Sequence, residues 1–388
     1  MQNNLENLIN QNKQILLDSL NTNNIEYYYN YIKNTIFDNV ILILIFYFLI
    51  LPYIFKSSGP NKNFNWWMLL IIPVLIFVYY FSKIIYRRYS KLGNMLRTNE
   101  CLDLTGKVII NKTIKPIETK KELLTKPLNE FIINTSHNSY LPCTQNIDVA
   151  SSEAIKYTLA MGARVIELDC FAKNNNGTTQ DDMMPVVAHG MERQQGDIFS
   201  TSYIPFEDCI NTIAEYGLLT SDPLIICLEL NTNNLIPTQK IMKEKILKVF
   251  GDKLLDKSYK LSNKTNRKYF SKEQIGNLLN KVIFISGGGY TSELMDILDG
   301  SFNESDILSN SDNLNKLLNQ PNKSGVIQRI YPAGDLYGHL SYNFDPIPFW
   351  NNGYQMIALN FEVVDNNLMK NIAIFKNHSF IHFSELNK

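Results

Sequence analysis

From about residue 130 onward, short apolar runs alternate with amphipathic stretches, and this alternation limits the fold more than any other feature of the chain. The segments 131–134, 164–171, 186–189, 224–230, 282–286, 326–331 and 356–361 are short, apolar and rich in β-branched residues, as strands are. Between them, 152–161, 206–216 and 238–250 place apolar residues at helical spacing. Gly251 follows the last of these as a natural helix stop. Strand–helix alternation predicts a parallel sheet, and a stretch of this length predicts an α/β barrel of the TIM type.

The polar residues at the strand ends carry the chemistry. His137 and Asn138 follow the first predicted strand, and Glu167 and Asp169 stand two apart on the second. Residues i and i+2 of a strand share a face, so both carboxylates point the same way. His189 ends the third strand, Glu229 lies near the end of the fourth, and Arg329 and Tyr331 close a later one. In an α/β barrel these C-terminal strand ends converge on one pocket. Three carboxylates and an amide, with no thiolate, form a hard oxygen set suited to calcium or magnesium. Two histidines beside such a cation point to phosphate-ester chemistry. Each piece alone has a plainer reading: a strand-end histidine is usually a hydrogen-bonded structural residue. It is their co-occurrence at successive strand ends that carries the argument.

Lysine plus arginine equal aspartate plus glutamate, so the formal charge is zero and no basic footprint for nucleic acid exists. The five cysteines are irregularly spaced, without a Cys-x-x-Cys pair, and read as reduced, mostly buried thiols.

The N-terminal third is of a different kind. Residues 39–55 and 64–82 contain no charged side chain. A hydrocarbon span needs about 20 apolar residues, with a lower limit near 17. Trp66 and Trp67 at one end of the second run, and Tyr79 and Tyr80 at the other, suit the two interfaces. The connector carries Lys56 and Lys62, whereas Lys83, Arg87, Arg88, Lys91 and Arg97 follow the second run. The expectation is an integral membrane anchor of two spans, with both termini and the catalytic domain in the cytoplasm. The membrane itself is not specified. Residues 1–36 read as an amphipathic helix, with Leu5, Leu8, Ile9, Leu16 and Leu20 near helical spacing, or as a weakly ordered tail. The expected plan is therefore an N-terminal segment (1–36), a transmembrane hairpin (37–83), a juxtamembrane linker (84–120) and a barrel (121–388).

Several motifs of the barrel segment resemble those of a known family. Asn-Thr-Ser-His-Asn-Ser-Tyr (134–140), Val-Ile-Glu-Leu-Asp-Cys (165–170), Val-Val-Ala-His-Gly (186–190), Cys-Leu-Glu-Leu-Asn (227–231) and Phe-Gly-Asp-Lys-Leu-Leu (250–255) resemble the X half of eukaryotic phosphoinositide-specific phospholipase C. Arg-Ile-Tyr-Pro-Ala-Gly (329–334) and Phe-Trp-Asn-Asn-Gly-Tyr-Gln-Met-Ile-Ala-Leu-Asn-Phe (349–361) resemble the Y half. The X half would span about 121–290 and the Y half about 300–388. The resemblance implies that Asn138, Glu167, Asp169 and Glu229 bind calcium and that His137 and His189 are catalytic. The inositol 2-hydroxyl would attack the adjacent phosphodiester. Glu167 or Glu229 would take its proton, and the resemblance does not choose between them. A cyclic phosphodiester would form, diacylglycerol would leave, and water would open the ring. Ser301, Arg329 and Tyr331 match residues that hold the inositol ring and its 4-phosphate.

The departures from the family pattern matter as much. Ser286 and Gly288 occupy the positions of a lysine pair that in the family grips the 4- and 5-phosphates, so phosphatidylinositol or its 4-phosphate is expected to be turned over as well as, or better than, the 4,5-bisphosphate. Only about a dozen residues separate Gly289 from Ser301, where the family carries a long linker. Asp335 stands where animal enzymes often carry a membrane-inserting tryptophan. Rival readings are a catalytically inactive, membrane-anchored phosphoinositide-binding scaffold, a glycerophosphodiester phosphodiesterase, and a membrane structural protein with a vestigial barrel. The first would lack one of the six matching positions. The second opens with His-Arg-Gly, where this chain has His137-Asn138-Ser139.

Overall fold

The computed structural model describes residues 114–386 apart from 144–148, 175–182, 193–197, 200–201, 233–234, 303–306, 312–324 and 334–340, together with residues 74, 78, 79, 81, 82, 98 and 102. The chain divides into two compact units, Met1–Tyr86 and Arg87–Lys388. The predicted helix over 1–36 and the loop beginning at Asp335 lie outside the described residues. So does the predicted hairpin over 37–83, apart from Val74, Val78, Tyr79, Phe81 and Ser82. Among the described residues no helix is long and apolar enough to cross a membrane, so the transmembrane expectation gains no support here.

The second unit is built on one curled, mostly parallel sheet. In chain order it contains β1 (Phe131–His137), α1 (Ser152–Ala160), β2 (Val165–Asn174), β3 (Met183–Val187), β4 (Met191–Glu192), β5 (Ile198–Phe199), β6 (Ile204–Pro205), α2 (Phe206–Gly217), β7 (Leu224–Asn231), α3 (Ile236–Phe250), β8 (Val282–Ser286), α4 (Ser292–Met295), β9 (Gly300–Ser301), β10 (Ile307–Ser311), β11 (Ile327–Tyr331), α5 (Ile347–Asn351), β12 (Met356–Asn360), α6 (Asn366–Ile374) and β13 (Phe380–His382). The main ladder runs β10-β11-β12-β1-β2-β7-β8-β9. Every neighbouring pair along it is parallel.

Local chemistry sets the helix ends. Ser151 caps α1 by accepting from the Glu153 amide at 3.3 Å. Asp365 caps α6 by accepting from the amides of Asn367 and Leu368 at 3.0 and 2.8 Å. Each satisfies amides that the first helical turn leaves unpaired. Gly251 ends α3 at φ +39°, a conformation that costs a side-chain-bearing residue more than glycine. On α2, Phe206, Cys209, Ile210 and Ile213 form one buried stripe. Full burial of one such aliphatic or aromatic side chain stabilises by about 1.5–3 kcal/mol, so Ile213→Ala would cost about 2–5 kcal/mol.

Strand alternation divides the core in two. Ile132, Ile166, Leu168, Ile226, Leu228, Ile330, Ile357 and Leu359 pack with the helices on the outer face. Phe131, Ile133, Val165, Ile225, Cys227, Ile283, Ile285, Ile327 and Met356 fill the inner face. The inner face is apolar at the strand starts and becomes polar two residues at a time toward the strand ends.

Three expectations need correction. The third predicted strand, 186–189, is observed as Met183–Val187 and runs antiparallel to β2. The reason is length: a parallel crossover needs a dozen or more residues, and too few separate β2 from β3. His189 therefore lies in the turn beyond β3 instead of ending a barrel strand. The closed barrel is also not seen, because among the described residues no pairing joins β9 to β10, leaving a curled, unclosed sheet. Lastly, Cys143 is disulfide-bonded, whereas Cys170, Cys209 and Cys227 are free and buried as expected. Spatial proximity of thiols is not written in their spacing.

Candidate active site

The inner-face alternation carries apolar side chains up each strand and ends in a polar ring. Val165, Glu167 and Asp169 succeed one another on β2, and Ile225, Cys227 and Glu229 on β7. Ile327, Arg329 and Tyr331 do so on β11, Ile133, Thr135 and His137 on β1, and Met356, Ala358 and Asn360 on β12. Strand register then sets the neighbours. Asp169 pairs with Glu229, and His137 with Asn360.

The turn after β1 is built tightly. Asn138 adopts φ +44°, a left-handed conformation that asparagine tolerates better than most residues. Its amide donates to Glu167 Oε2 at 3.2 Å. The Glu167 amide donates to Ser139 Oγ at 2.9 Å, stitching the turn to β2. Two residues on, the fully buried Tyr140 hydroxyl lies 2.7 Å from Asp169 Oδ2 and 3.1 Å from the Ala188 carbonyl. Burial first, then the Asp169 charge, hold that phenol well above its ordinary pKa.

His137 Nδ1 lies 2.8 Å from Asn360 Oδ1. The Asn360 amide nitrogen donates to the Tyr342 carbonyl at 2.8 Å, which fixes which end of the side chain faces the imidazole. Nε2 of His137 sits 3.7 Å from Glu167 Oε2, and its ring stacks on Tyr331 with centroids 5.8 Å apart. His189 Nδ1 stands 3.7 Å from Asp169 Oδ2.

The carboxylates repel one another. Glu229, though open to solvent on one side, is pushed up to about 8, first by the Asp169 charge, then by the protein packed on its other side, then by Glu167, with Arg329 opposing. Asp169 Oδ1 is buried and has no hydrogen-bond partner among the described residues. Arg329 Nη2 is ion-paired with Glu167 Oε1, and both side chains are almost wholly buried. Its Nη1 donates to Ser309 Oγ at 3.2 Å, and its guanidinium lies over the rings of Tyr331 at 4.7 Å and Phe302 at 5.3 Å. Burial is the largest influence on Arg329 and works against its charge. Glu167 and, after it, the neighbouring Cys227, Glu229 and Tyr331 outweigh it and raise its pKa.

As the side chains stand, no group of three His, Cys, Asp or Glu among the described residues is drawn together as a metal cluster. The donor set nonetheless fits a hard cation. An orphaned buried carboxylate oxygen and two adjacent carboxylates in register are the charge pattern that a divalent ion relieves.

Two groups of contacts result: His137, Asn138, Arg329 and Tyr331 gather around Glu167, and His189 and Glu229 around Asp169, two residues further along the same face of β2. Ser301 is buried on β9 beside Ser286. The Ser286 hydroxyl is 3.1 Å from the Gly288 carbonyl and turns into its own loop. Asn360 and Tyr140 were missed in the sequence. Asn360 closes an apolar strand as a polar residue, a signal the sequence does carry, whereas nothing local marks the Tyr140 hydroxyl.

Two family models match this chain. That for the phosphatidylinositol-specific phospholipase C X domain covers residues 124–285, and that for the Y domain covers 296–380. Together they span more than half of the 388 residues. The chain belongs to the phosphatidylinositol-specific phospholipase C family. Among its relatives is 1-phosphatidylinositol 4,5-bisphosphate phosphodiesterase 1 of Saccharomyces cerevisiae, 27% identical over 336 residues, covering 67% of this chain and 36% of that protein. Another is the delta-3-A phosphodiesterase of the same name from Danio rerio, 28% identical over 299 residues, covering 62% of this chain and 36% of its own length. The chain thus spans little more than a third of these relatives. In fold it is similar to the crystal structure of S. officinalis PLC21, with a TM-score of 0.54 at 21% identity over 68% of this chain and 38% of that one.

Proposed function

We propose that this chain is a calcium-dependent phosphoinositide phospholipase C. It would release diacylglycerol and an inositol phosphate through a cyclic phosphodiester. The observation that carries this reading is the polar ring itself: His137, Asn138, Glu167, Asp169, His189 and Glu229 occupy one rim of a sheet whose sequence matches both halves of the family. An inactive scaffold that had lost one of these side chains would not keep all six.

Asn138, Glu167, Asp169 and Glu229 would hold calcium, which when bound would acidify the attacking inositol hydroxyl and balance charge on the phosphodiester. The remaining work falls to the chain. Glu167 or Glu229 accepts the hydroxyl proton. His137, oriented by Asn360 and stacked on Tyr331, presents Nε2 to the phosphoryl oxygens. The new P–O bond forms as the bond to the diacylglycerol oxygen breaks, and His189 protonates that oxygen. In the second half His189 takes a proton from the water that opens the ring. Ser301, Arg329 and Tyr331 would hold the inositol ring and its phosphates.

Membrane attachment through residues 37–83 is part of the same proposal. Its support is the pair of charge-free runs, the basic residues that follow them, and the exposure of the apolar helical residues Val74, Val78, Tyr79 and Phe81 at 49–62%. The proposal is two spans with the barrel on the cytoplasmic side. The test of function is direct. The purified chain is assayed on vesicles of phosphatidylinositol, its 4-phosphate and its 4,5-bisphosphate, with calcium and with chelator. Calcium-dependent release of inositol phosphates is expected. Headgroup binding without release would restore the scaffold reading.

A further inference from the structure

Away from the catalytic rim, positive charge is concentrated in one place. The connector between α3 and β8, residues 251–281, holds seven lysines and one arginine against three acidic residues. Over the whole chain 37 basic residues balance 37 acidic ones, so this excess is local. The three acids are engaged within the connector. Asp256 accepts from the Ser258 amide at 2.7 Å, Glu273 accepts from the Tyr259 hydroxyl and the Asn277 side chain, each at 2.7 Å, and Asp252 lies 3.7 Å from Lys253. Lys260 turns inward to Asp299 at 2.6 Å and ties the connector to the start of β9. Lys257, Lys264, Lys268 and Lys272 are exposed, and among the described residues none is ion-paired with a carboxylate. The Lys268 amide donates to the Ser258 carbonyl at 2.8 Å, which brings the Lys257 and Lys268 segments together. Arg267 and Lys272 lie against the ring of the part-exposed Tyr269, at 4.8 and 5.0 Å. Exposed Lys126 adjoins this end, its carbonyl accepting from the Ile275 amide at 2.9 Å.

Topology places this surface. The connector leaves the C-terminus of α3 and enters β8, so it crosses the N-terminal ends of the parallel strands. Backbone bonds hold it there: the Asn280 amide donates to the Ser221 carbonyl before β7, and the Leu261 amide to the Leu298 carbonyl before β9. His137 and Glu229 stand at the other ends of the same strands. The eight residues of β7, at about 3.3 Å each, put roughly 25 Å between the two faces.

Lysines spread over an open surface suit an extended layer of negative charge better than a small anion. A part-exposed tyrosine among them suits a bilayer interface, where one end of the ring is apolar and the other wet. A neutral chain with one exposed ring in the patch lacks the aromatic platform on which single-stranded nucleic acid stacks. We infer that the N-terminal face of the sheet is a second lipid-binding surface, for anionic bilayers such as those carrying phosphatidylserine. A bilayer seated there lies at the far end of the strands from the catalytic rim. The surface therefore holds the enzyme on anionic membrane in an orientation that does not hydrolyse the lipid of that membrane. Binding at this face stands apart from the proposed function, and only its effect on rate rests on that reading.

The test is flotation of the full chain with phosphatidylcholine vesicles, with and without phosphatidylserine, lacking phosphoinositide and in chelator. A basic residue near an anionic leaflet tightens binding about 5-fold, so phosphatidylserine should tighten association by about 100-fold or more. High salt should remove that increment in the unaltered chain. The triple variant Lys264→Glu, Lys268→Glu, Lys272→Glu should float with neutral vesicles as wild type does and lose the increment. Its hydrolysis of dilute phosphatidylinositol in phosphatidylcholine should be unchanged. Adding phosphatidylserine to those substrate vesicles should lower the wild-type rate per bound enzyme and spare the variant. No increment in the folded parent, or one that the variant keeps, overturns the surface. A rate that phosphatidylserine raises in the parent and not in the variant overturns the orientation. Release of the vesicles by inorganic phosphate at constant ionic strength overturns the bilayer in favour of a free anion, and RNA that outcompetes the vesicles overturns the lipid assignment. A chain that shows the increment and hydrolyses nothing refutes the proposed function and leaves this surface standing.

Discussion

Tyr140→Phe removes one oxygen from the buried shell behind the rim, and the structure sets the size of its effect. The hydroxyl is 2.7 Å from Asp169 Oδ2 and fully enclosed. A hydrogen bond to a charged acceptor stabilises by about 1.5–3 kcal/mol, so folding should lose roughly that much. The second effect is on the carboxylate. With Oδ2 pinned by the phenol, Oδ1 is the oxygen left for a cation. Without the phenol the group can rotate, or share its charge with His189, whose Nδ1 is 3.7 Å away. Loss of such an outer partner typically costs 10–100-fold in metal affinity. Calcium titration of hydrolysis should therefore move to about 10–100-fold higher concentration, with turnover at saturating calcium close to wild type. Calorimetry gives the binding constant independently, and thermal melting gives the stability term. An unchanged calcium midpoint in a folded variant would refute the orienting role. Lost turnover that excess calcium does not restore would show that Tyr140 acts on the chemistry instead.

His137→Ala and His189→Ala should each reduce turnover by about 10²–10⁴-fold with melting temperature little changed, and wild-type rates in either would remove that residue from the mechanism. Glu167→Gln and Asp169→Asn should raise the calcium requirement, and full activity of the parent chain in excess chelator would sink the metal assignment. Glu362, whose Oε1 is buried with no hydrogen-bond partner among the described residues, is pushed up to about 8 by burial, with Ser341 opposing. Its folded value lies above its unfolded one, so its contribution is present in acid and is lost as pH rises from about 4.5 to about 8. Melting temperature should fall over that window more steeply in the parent than in Glu362→Gln, and parallel curves would count against it. Alkaline carbonate should leave the full chain with the membrane pellet, and recovery in the supernatant would mean that residues 37–83 do not span.

Much of the barrel was readable because period-2 burial writes itself into sequence. The runs at 131–134, 224–230, 282–286 and 356–361 became β1, β7, β8 and β12 with shifts of a few residues at the ends. Glu167 and Asp169 on one face of β2 followed from the same periodicity. Other features depend on which strands become neighbours, and no local pattern holds that information. The Asp169–Glu229 register, the His137–Asn360 contact and the Tyr140 hydroxyl beneath Asp169 all join residues far apart in the chain. The antiparallel β3, signalled only by the shortness of the loop before it, moved His189 off a strand end and into a turn. The pair between Arg329 and Glu167 is the clearest case. In the sequence one was a candidate phosphate holder and the other a candidate calcium ligand, 162 residues apart. Only folding brings their opposite charges into one buried contact, because the low dielectric that makes the pair matter exists only once the sheet has curled around it.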